Sequence, residues 1–299
     1  MVKREKKMRK RLSKSDIIFL TAVYFFIGLF TLAVLYPLIY VLSASVSNPA
    51  KIISGELVLF PKGFSLKLYE KILTNKNIVT GYKNTVFYTV FGTLYNLIMT
   101  TCAAYPLSRK DLKGNGFFTF IITFTMLFGG GMIPAFLNLN NLGLINSPLV
   151  MILPGAVSVT NFIIMRNYFM HSVPNEVIES AYVDGASQIR TLTSIVLPLS
   201  KSILGVLIVY YAVGHWNAYF SAMMYLQDDS LMPLQIFLRR ILLLNSMEGM
   251  TGGSSLEDQL LFEGMRYALI VVAVVPMLAL YMIMQKSFRK GIMIGAIKG

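Results

Sequence analysis

Residues 176–198, EVIESAYVDGASQIRTLTSIVLP, set two acids, an Asp-Gly pair and an arginine at definite spacings between runs that suit hydrocarbon. Pro174, Glu176 and Glu179 favour a helix start, because proline fits a first turn and negative charge complements the N-terminal dipole. Ile178, Ala181 and Tyr182 then fall near one face, where Ala181 is small enough for close approach by another surface. Asp184-Gly185 should end that helix, since glycine takes the left-handed conformation at little cost. Ser187 can cap a second helix, which Pro198 ends or kinks. The expected unit is a rigid helix-turn-helix suited to mechanical contact. A second group, YYAVGHWNAYF at 210–220, places Tyr210, Tyr211, His215, Trp216, Asn217 and Tyr219 in an apolar run. Aromatic faces stack on sugar rings and Asn, His and Tyr offer hydrogen bonds, a mixture fitted to a neutral polar solute. The same residues suit an interfacial belt or a helix-packing seam equally well.

Bond-making chemistry has no comparable support. No nucleophile, base and acid constellation stands out, and no G-x-x-x-x-G-K-[ST] phosphate loop occurs. His171 and His215 lie too far apart for metal-ligand spacing, and a single cysteine, Cys102, excludes an intrachain disulfide.

The elements that must carry these groups belong in a membrane. Hydrophobic residues make up 55% of the chain and charged ones 14%, against about 25% charged in soluble domains. Six stretches have roughly the 20 apolar residues a spanning helix needs, near 17–45, 84–107, 117–137, 148–169, 202–226 and 265–287. The first follows MVKREKKMRKR and is about twice a secretory signal's apolar core of 7–15 residues, so it reads as an uncleaved span. With the N-terminus in the cytoplasm, Lys and Arg divide two to one in favour of that side, which puts both termini there. Residues 170–201 become a cytoplasmic loop, and 46–83 and 227–264 external ones. The centres of all six stretches lack Asp, Glu, Lys and Arg, which argues against a proton- or sodium-coupled carrier. Gly129, Gly130, Gly131 and Pro134 should interrupt or kink the third span.

Glu179, Ser180, Ala181, Gly185, Ile195, Leu197 and Pro198 resemble the EAA loop of ABC-type importer permeases. Its pattern is E-A-A, three residues, G, nine residues, I, one residue, L-P, and only the middle alanine differs, as Ser180. NNLGLINSPLVMILPGAVSVTNFIIMRNYF, WNAYFSAMMYL and the ending KSFRKGIMIGAIKG look like carbohydrate permeases of the maltose-importer kind. The first two are most similar to permeases for complex oligosaccharides such as alginate or rhamnogalacturonan fragments.

The resemblance implies an all-α polytopic membrane protein with the type I ABC importer permease fold and six transmembrane helices. A basic N-terminus at 1–16 would precede a permease domain at 17–287, which holds the coupling loop 170–201 and an external scoop-like loop 223–264. A cytoplasmic tail at 288–299 would follow. Glu179, Ser180, Ala181, Asp184 and Gly185 would dock in a cleft of an ATPase subunit, with Ala181 supplying the close contact. Arg289, Lys290 and Gly291 would reach between the two ATPases. Tyr211, His215, Trp216, Asn217 and Tyr219 would line the substrate path. The implied partners are a second, homologous permease subunit forming a heterodimer, two ABC ATPases, an extracytoplasmic solute-binding protein, membrane lipid and an oligosaccharide, with no nucleic acid. This chain would be non-catalytic and carry no cofactor, ATP and Mg residing on the ATPases. It would lie in the bacterial cytoplasmic membrane and move sugar by alternating access. The alternatives are an ABC permease for a non-sugar solute and a secondary transporter.

Overall fold

A computed structural model describes residues 13–241 and 256–296, with side chains described for 13–241 and 264–285. Among these residues there are helices and no strands. The main helices are α1 (Lys14–Ser45), α2 (Lys76–Ser108), α3 (Asn115–Leu127), α4 (Met132–Asn141) and α5 (Val159–Ser172). They continue as α6 (Asn175–Val183), α7 (Lys201–Trp216), α8 (Tyr219–Tyr225) and α9 (Leu256–Ala296).

The chain divides into two compact units, Met1–Tyr69 with Ser254–Val271, and Glu70–Gly253 with Val272–Gly299. In the first, the α1 side chains are largely exposed as far as its last turn, where Ser43, Ala44 and Ser45 are buried. That turn is tied to the segment after it by Tyr69 OH donating to Ser45 Oγ at 2.8 Å and Lys62 N–H to Ser47 Oγ at 3.1 Å. Gly264 lets α9 approach Leu68, whose Cδ1 would lie 2.8 Å from an added Cβ.

In the second unit α2 is the central helix, packed against α5 and α7. Its buried face reads Gly81, Thr85, Thr89, Gly92, Thr93, Asn96, Thr100 and Thr101, small and polar groups at helical spacing. Lipid tails are as apolar as leucine, so helices in a bilayer associate through close packing and hydrogen bonds, which such a face supplies. Apolar clusters form on either side of this polar layer. Ala104, Tyr105 and Leu107 of α2 join Phe162, Met165 and Phe169 of α5 and Leu207 of α7. Tyr88 joins Leu139, Val150, Met151, Ala222 and Phe237.

Three continuous helices are long and apolar enough to cross a membrane, Lys14–Ser45, Lys76–Ser108 and Gly264–Gln285, and bent pairs raise the total to five among the described residues. The six expected stretches therefore divide into continuous and broken helices. The third stretch is two helices meeting at 114° across Gly129–Gly131, the interruption expected from those glycines. The fourth begins as the 3₁₀ turn Pro148–Met151, passes through non-helical residues 152–158 and becomes helical only at α5. The fifth breaks at Asn217 and Ala218 between α7 and α8.

At Gly92 α2 leaves no room for a side chain, since an added Cβ would collide with the His215 ring of α7. Gly92→Ala should lower stability by about 1–3 kcal/mol through overpacking, measured as thermal unfolding in detergent. Gly28→Ala, with nothing within 4 Å of the added carbon, should show no loss.

Candidate functional site

The polar layer between the two apolar clusters opens into a cavity of about 360 Å³. Asn96 of α2, Ser158 and Asn161 beside the non-helical segment, Tyr210, Tyr211 and His215 of α7, and Ser221 and Tyr225 of α8 line it. The geometry follows from an unmet backbone requirement. Pro154 has no N–H, and Gly155 sits at φ +69°, so residues 152–158 leave peptide groups that no helix satisfies. Asn96 Nδ2 reaches across and donates to the carbonyls of Gly155 at 3.0 Å and Ala156 at 2.9 Å. Both amide hydrogens are then used, so the amide oxygen faces His215 Nε2, 2.6 Å away. Nε2 therefore carries the hydrogen in that contact. Tyr211 OH accepts from Ser158 N–H at 3.2 Å and lies 2.6 Å from Thr100 Oγ1.

These contacts build a wall of hydroxyls, amides and one imidazole without Asp, Glu, Lys or Arg. Such a wall hydrogen-bonds a polar solute without holding it by charge. Tyr225 also stacks on Phe136 of α4, centroids 6.1 Å apart.

Two of the five residues expected along a substrate path, Tyr211 and His215, line the cavity. The other three do not. Trp216 is 3% exposed and donates Nε1–H to Ala273 O at 2.9 Å, with Tyr82 edge-on at 5.8 Å. It is a packing anchor, because a buried indole needs an acceptor and α9 supplies one. Asn217 donates back to Val213 O at 2.9 Å and closes the end of α7. Tyr219 is exposed and lies beneath the Arg239 guanidinium, 5.0 Å from its centroid. Sequence reasoning missed Asn96, Ser158, Asn161, Ser221 and Tyr225 as lining residues. A lone amide inside the apolar stretch TLYNLIMTT and the Pro154-Gly155 pair were the signals that could have found the first of them.

The helix-turn-helix forms as its residues dictate. Pro174 is the N-cap of α6, and Gly185 takes φ +77°. Gly185 N–H donates to Tyr182 O and Ala186 N–H to Ala181 O, the paired bonds of a Schellman ending. Ser187 Oγ accepts from Arg190 N–H and caps the following helix, Gln188–Leu199, which meets α7 at 85°. Glu179, Ser180 and Asp184 are exposed, whereas Ala181 is 6% exposed and packs inward. The close contact expected of Ala181 is thus internal to this chain. Val183 and Ile189, 88% and 75% exposed, are the most exposed apolar groups of this unit. Ser180 Oγ donates to Val177 O at 3.0 Å, which satisfies the hydroxyl that replaces alanine.

The unit is fastened to α2. Tyr182 OH donates to Gln188 Oε1 at 2.7 Å and lies 3.4 Å from Tyr105 OH. Arg109 stands 5.9 Å from the Tyr182 ring. Arg166 of α5 donates to Leu107 O at 2.7 Å and to Asn115 Oδ1 at 3.2 Å, fixing the turn from α2 into α3. Near the other end of α2, Asn84 Nδ2 donates to Ser230 O and Met232 O, Tyr88 OH to Leu231 O, and Leu234 N–H to Thr85 Oγ1. These bonds clamp the first part of the 223–264 loop. Within it, the hydrogen bond from Arg240 holds the Asp229 carboxyl below its usual range. The rest of that loop at 242–255, and the side chains of Arg289 and Lys290, lie outside the described residues; the backbone of residues 289–291 is helical, within α9.

No family model matches the chain. The polygalacturonan/rhamnogalacturonan transport system permease protein YtcP of Bacillus subtilis (strain 168) is 38% identical over 93% of this chain and 97% of its own length. Protein LplC of the same organism is 37% identical over 88% of this chain and 89% of its length. A chain from the crystal structure of a bacterial ABC transporter involved in import of the acidic polysaccharide alginate superposes with a TM-score of 0.84 at 35% identity, over 93% of this chain and 99% of that one. A chain of the bacterial alginate ABC transporter in complex with its pentasaccharide-bound periplasmic protein shares the fold, at a TM-score of 0.61 and 16% identity.

Tyr211→Phe removes the hydroxyl that accepts from Ser158 N–H and leaves a buried donor unpaired. Stability should fall by about 1–3 kcal/mol, read from thermal unfolding in detergent, while a melting curve matching wild type would remove Tyr211 from the bracing role.

Proposed function

The chain belongs to the permease subunits of ABC-type sugar importers, and from that membership we propose that it lines a translocation path for oligosaccharides and takes its work from ATPase subunits bound at α6. The observation that carries the reading is the uncharged polar cavity beside α2, with the fastened helix-turn-helix at the end of the same helix. Tyr105 and Asn96 are nine residues apart on α2, about 14 Å at 1.5 Å per residue. A push on α6 passes through Tyr182 and Tyr105 into the helix that holds the cavity wall. Packed helices move as rigid bodies, so such a push rocks the wall and does not dissipate locally.

In this reading the helix-turn-helix faces the cytoplasm, with Glu179, Asp184 and Val183 meeting an ATPase cleft and Gly185 holding the turn. Ser180 packs along the same face and Ala181 braces it from behind. A second, homologous permease completes the path, and an extracytoplasmic binding protein delivers the sugar at the opposite side. ATP and Mg stay on the ATPases. The C-terminal tail from Arg289 through Lys290 and Gly291 extends toward them, and the protein resides in the bacterial cytoplasmic membrane with both termini inside.

The substrates of choice are uronate-containing oligosaccharides, the class named for two of the relatives. A wall that offers the side chains of Ser158, Asn161, Tyr210, Ser221 and Tyr225 as hydrogen-bond donors and holds no Asp or Glu accepts a sugar carboxylate without repulsion, and lacks the fixed cations that would trap it.

Gly185→Val places a β-branched residue at φ +77°, a strain of about 1–3 kcal/mol. In proteoliposomes containing the whole transporter, ATP hydrolysis should continue while uptake of galacturonate oligomers is lost. Normal coupling would remove α6 from the transmission role. Uptake of neutral oligomers in preference to uronates would overturn the substrate class alone, and uptake without ATP would overturn the permease role.

A further inference from the structure

A second cavity, of about 460 Å³, lies outside the sugar path, between the end of α2, the turn into α3 and the helix Gln188–Leu199. Its lining changes character along α2. Cys102, Pro106, Leu112, Ile189 and Leu192 supply apolar lining, and Arg109, Asp111 and Lys113 supply the charged part of it. Cys102 lies six residues before the end of the helix at Ser108, about 9 Å deeper at 1.5 Å per residue. Depth thus runs from hydrocarbon to cation over the distance in which a bilayer runs from acyl chain to headgroup.

Only part of the charge is paired internally. Arg109 pairs with Asp111 at 3.4 Å, but Lys110 and Lys113 add two further cations within the same five residues, both exposed. Basic pockets between spanning helices at the membrane surface bind anionic headgroups, at about fivefold in affinity for each cation near the surface. A protein segment would have to end its apolar contact at this same level and carry acid there, whereas an anionic phospholipid has both properties by constitution.

We infer that this cavity is a binding site for an anionic phospholipid, its phosphate against Arg109 and Lys113 and an acyl chain against Ile189, Leu192 and Cys102. The site has a mechanical consequence. Arg109 also faces the Tyr182 ring at 5.9 Å, and Gln188, which lines the cavity, accepts from Tyr182 OH. A lipid held there stiffens the joint through which α6 reaches α2, so the tightness of coupling depends on membrane composition.

The test uses the complete transporter in nanodiscs carrying phosphatidylglycerol or phosphatidylcholine with the same diazirine-bearing acyl chain. Crosslinked peptides are mapped by mass spectrometry. Phosphatidylglycerol adducts should concentrate on residues 102–113 and 188–192, exceed those of phosphatidylcholine, and be competed by unlabelled phosphatidylglycerol. Lys113→Gln, a change at an exposed position, should reduce the preference about fivefold, and Arg109→Gln with Lys113→Gln about twenty-five-fold. Equal labelling by both lipids would overturn the anionic site. Absence of adducts from either lipid in a transporter that still imports sugar would show the cavity covered by a neighbouring subunit. That outcome overturns the lipid site and leaves the permease role standing.

Discussion

Backbone groups that leave a helix inside a bilayer find no water, and each one left unpaired costs several kcal/mol. Residues 152–158 leave a helix in the midst of an apolar run, and their carbonyls and amides are met by side chains from two neighbouring helices. Asn96 serves Gly155 and Ala156, and Tyr211 serves Ser158. The cavity exists because this debt is settled sideways, by α2 and α7, and not along the chain. Remove the bracing and the segment has reason to close into helix or draw in lipid, with loss of the polar wall in either case.

The same bonds explain why α2 carries so little bulk on its buried face. Gly81 and Gly92 admit Phe237 and His215 to contact distances that a single added carbon would forbid. Threonines between them keep the backbones close while offering hydroxyls, a surface that lets helices meet where no hydrophobic force draws them together. Because one helix holds the cavity wall, the clamp on residues 230–234 and the tyrosine joint to α6, displacement at any of these points is felt at the others. A packed interior transmits strain because it has few voids to absorb it.

Local chemistry was legible in the sequence and tertiary pairing was not. Gly185 ended α6, Ser187 capped the next helix and Gly129–Gly131 broke the third span, since each outcome is decided within a few residues. The interruption of the fourth span is not legible because LVMILPGAVSV is as apolar as a spanning helix, and the side chain that braces Gly155 lies 59 residues away. Trp216 suits a substrate path by its type, but which side of α7 meets α9 is fixed by packing. The small size of Ala181 suits an outward contact, and the same smallness lets α6 lie close to its own chain. The motif identified the unit and its turn, and said nothing of which face would be covered.

The central claim is that Asn96 holds residues 152–158 open within the membrane. It is tested most directly by hydrogen–deuterium exchange on the reconstituted protein, comparing wild type with Asn96→Ala. The account predicts a marked rise in exchange across residues 152–158, with α6 and the clamp on residues 230–234 close to wild type. Unchanged protection across 152–158 in the variant would contradict it.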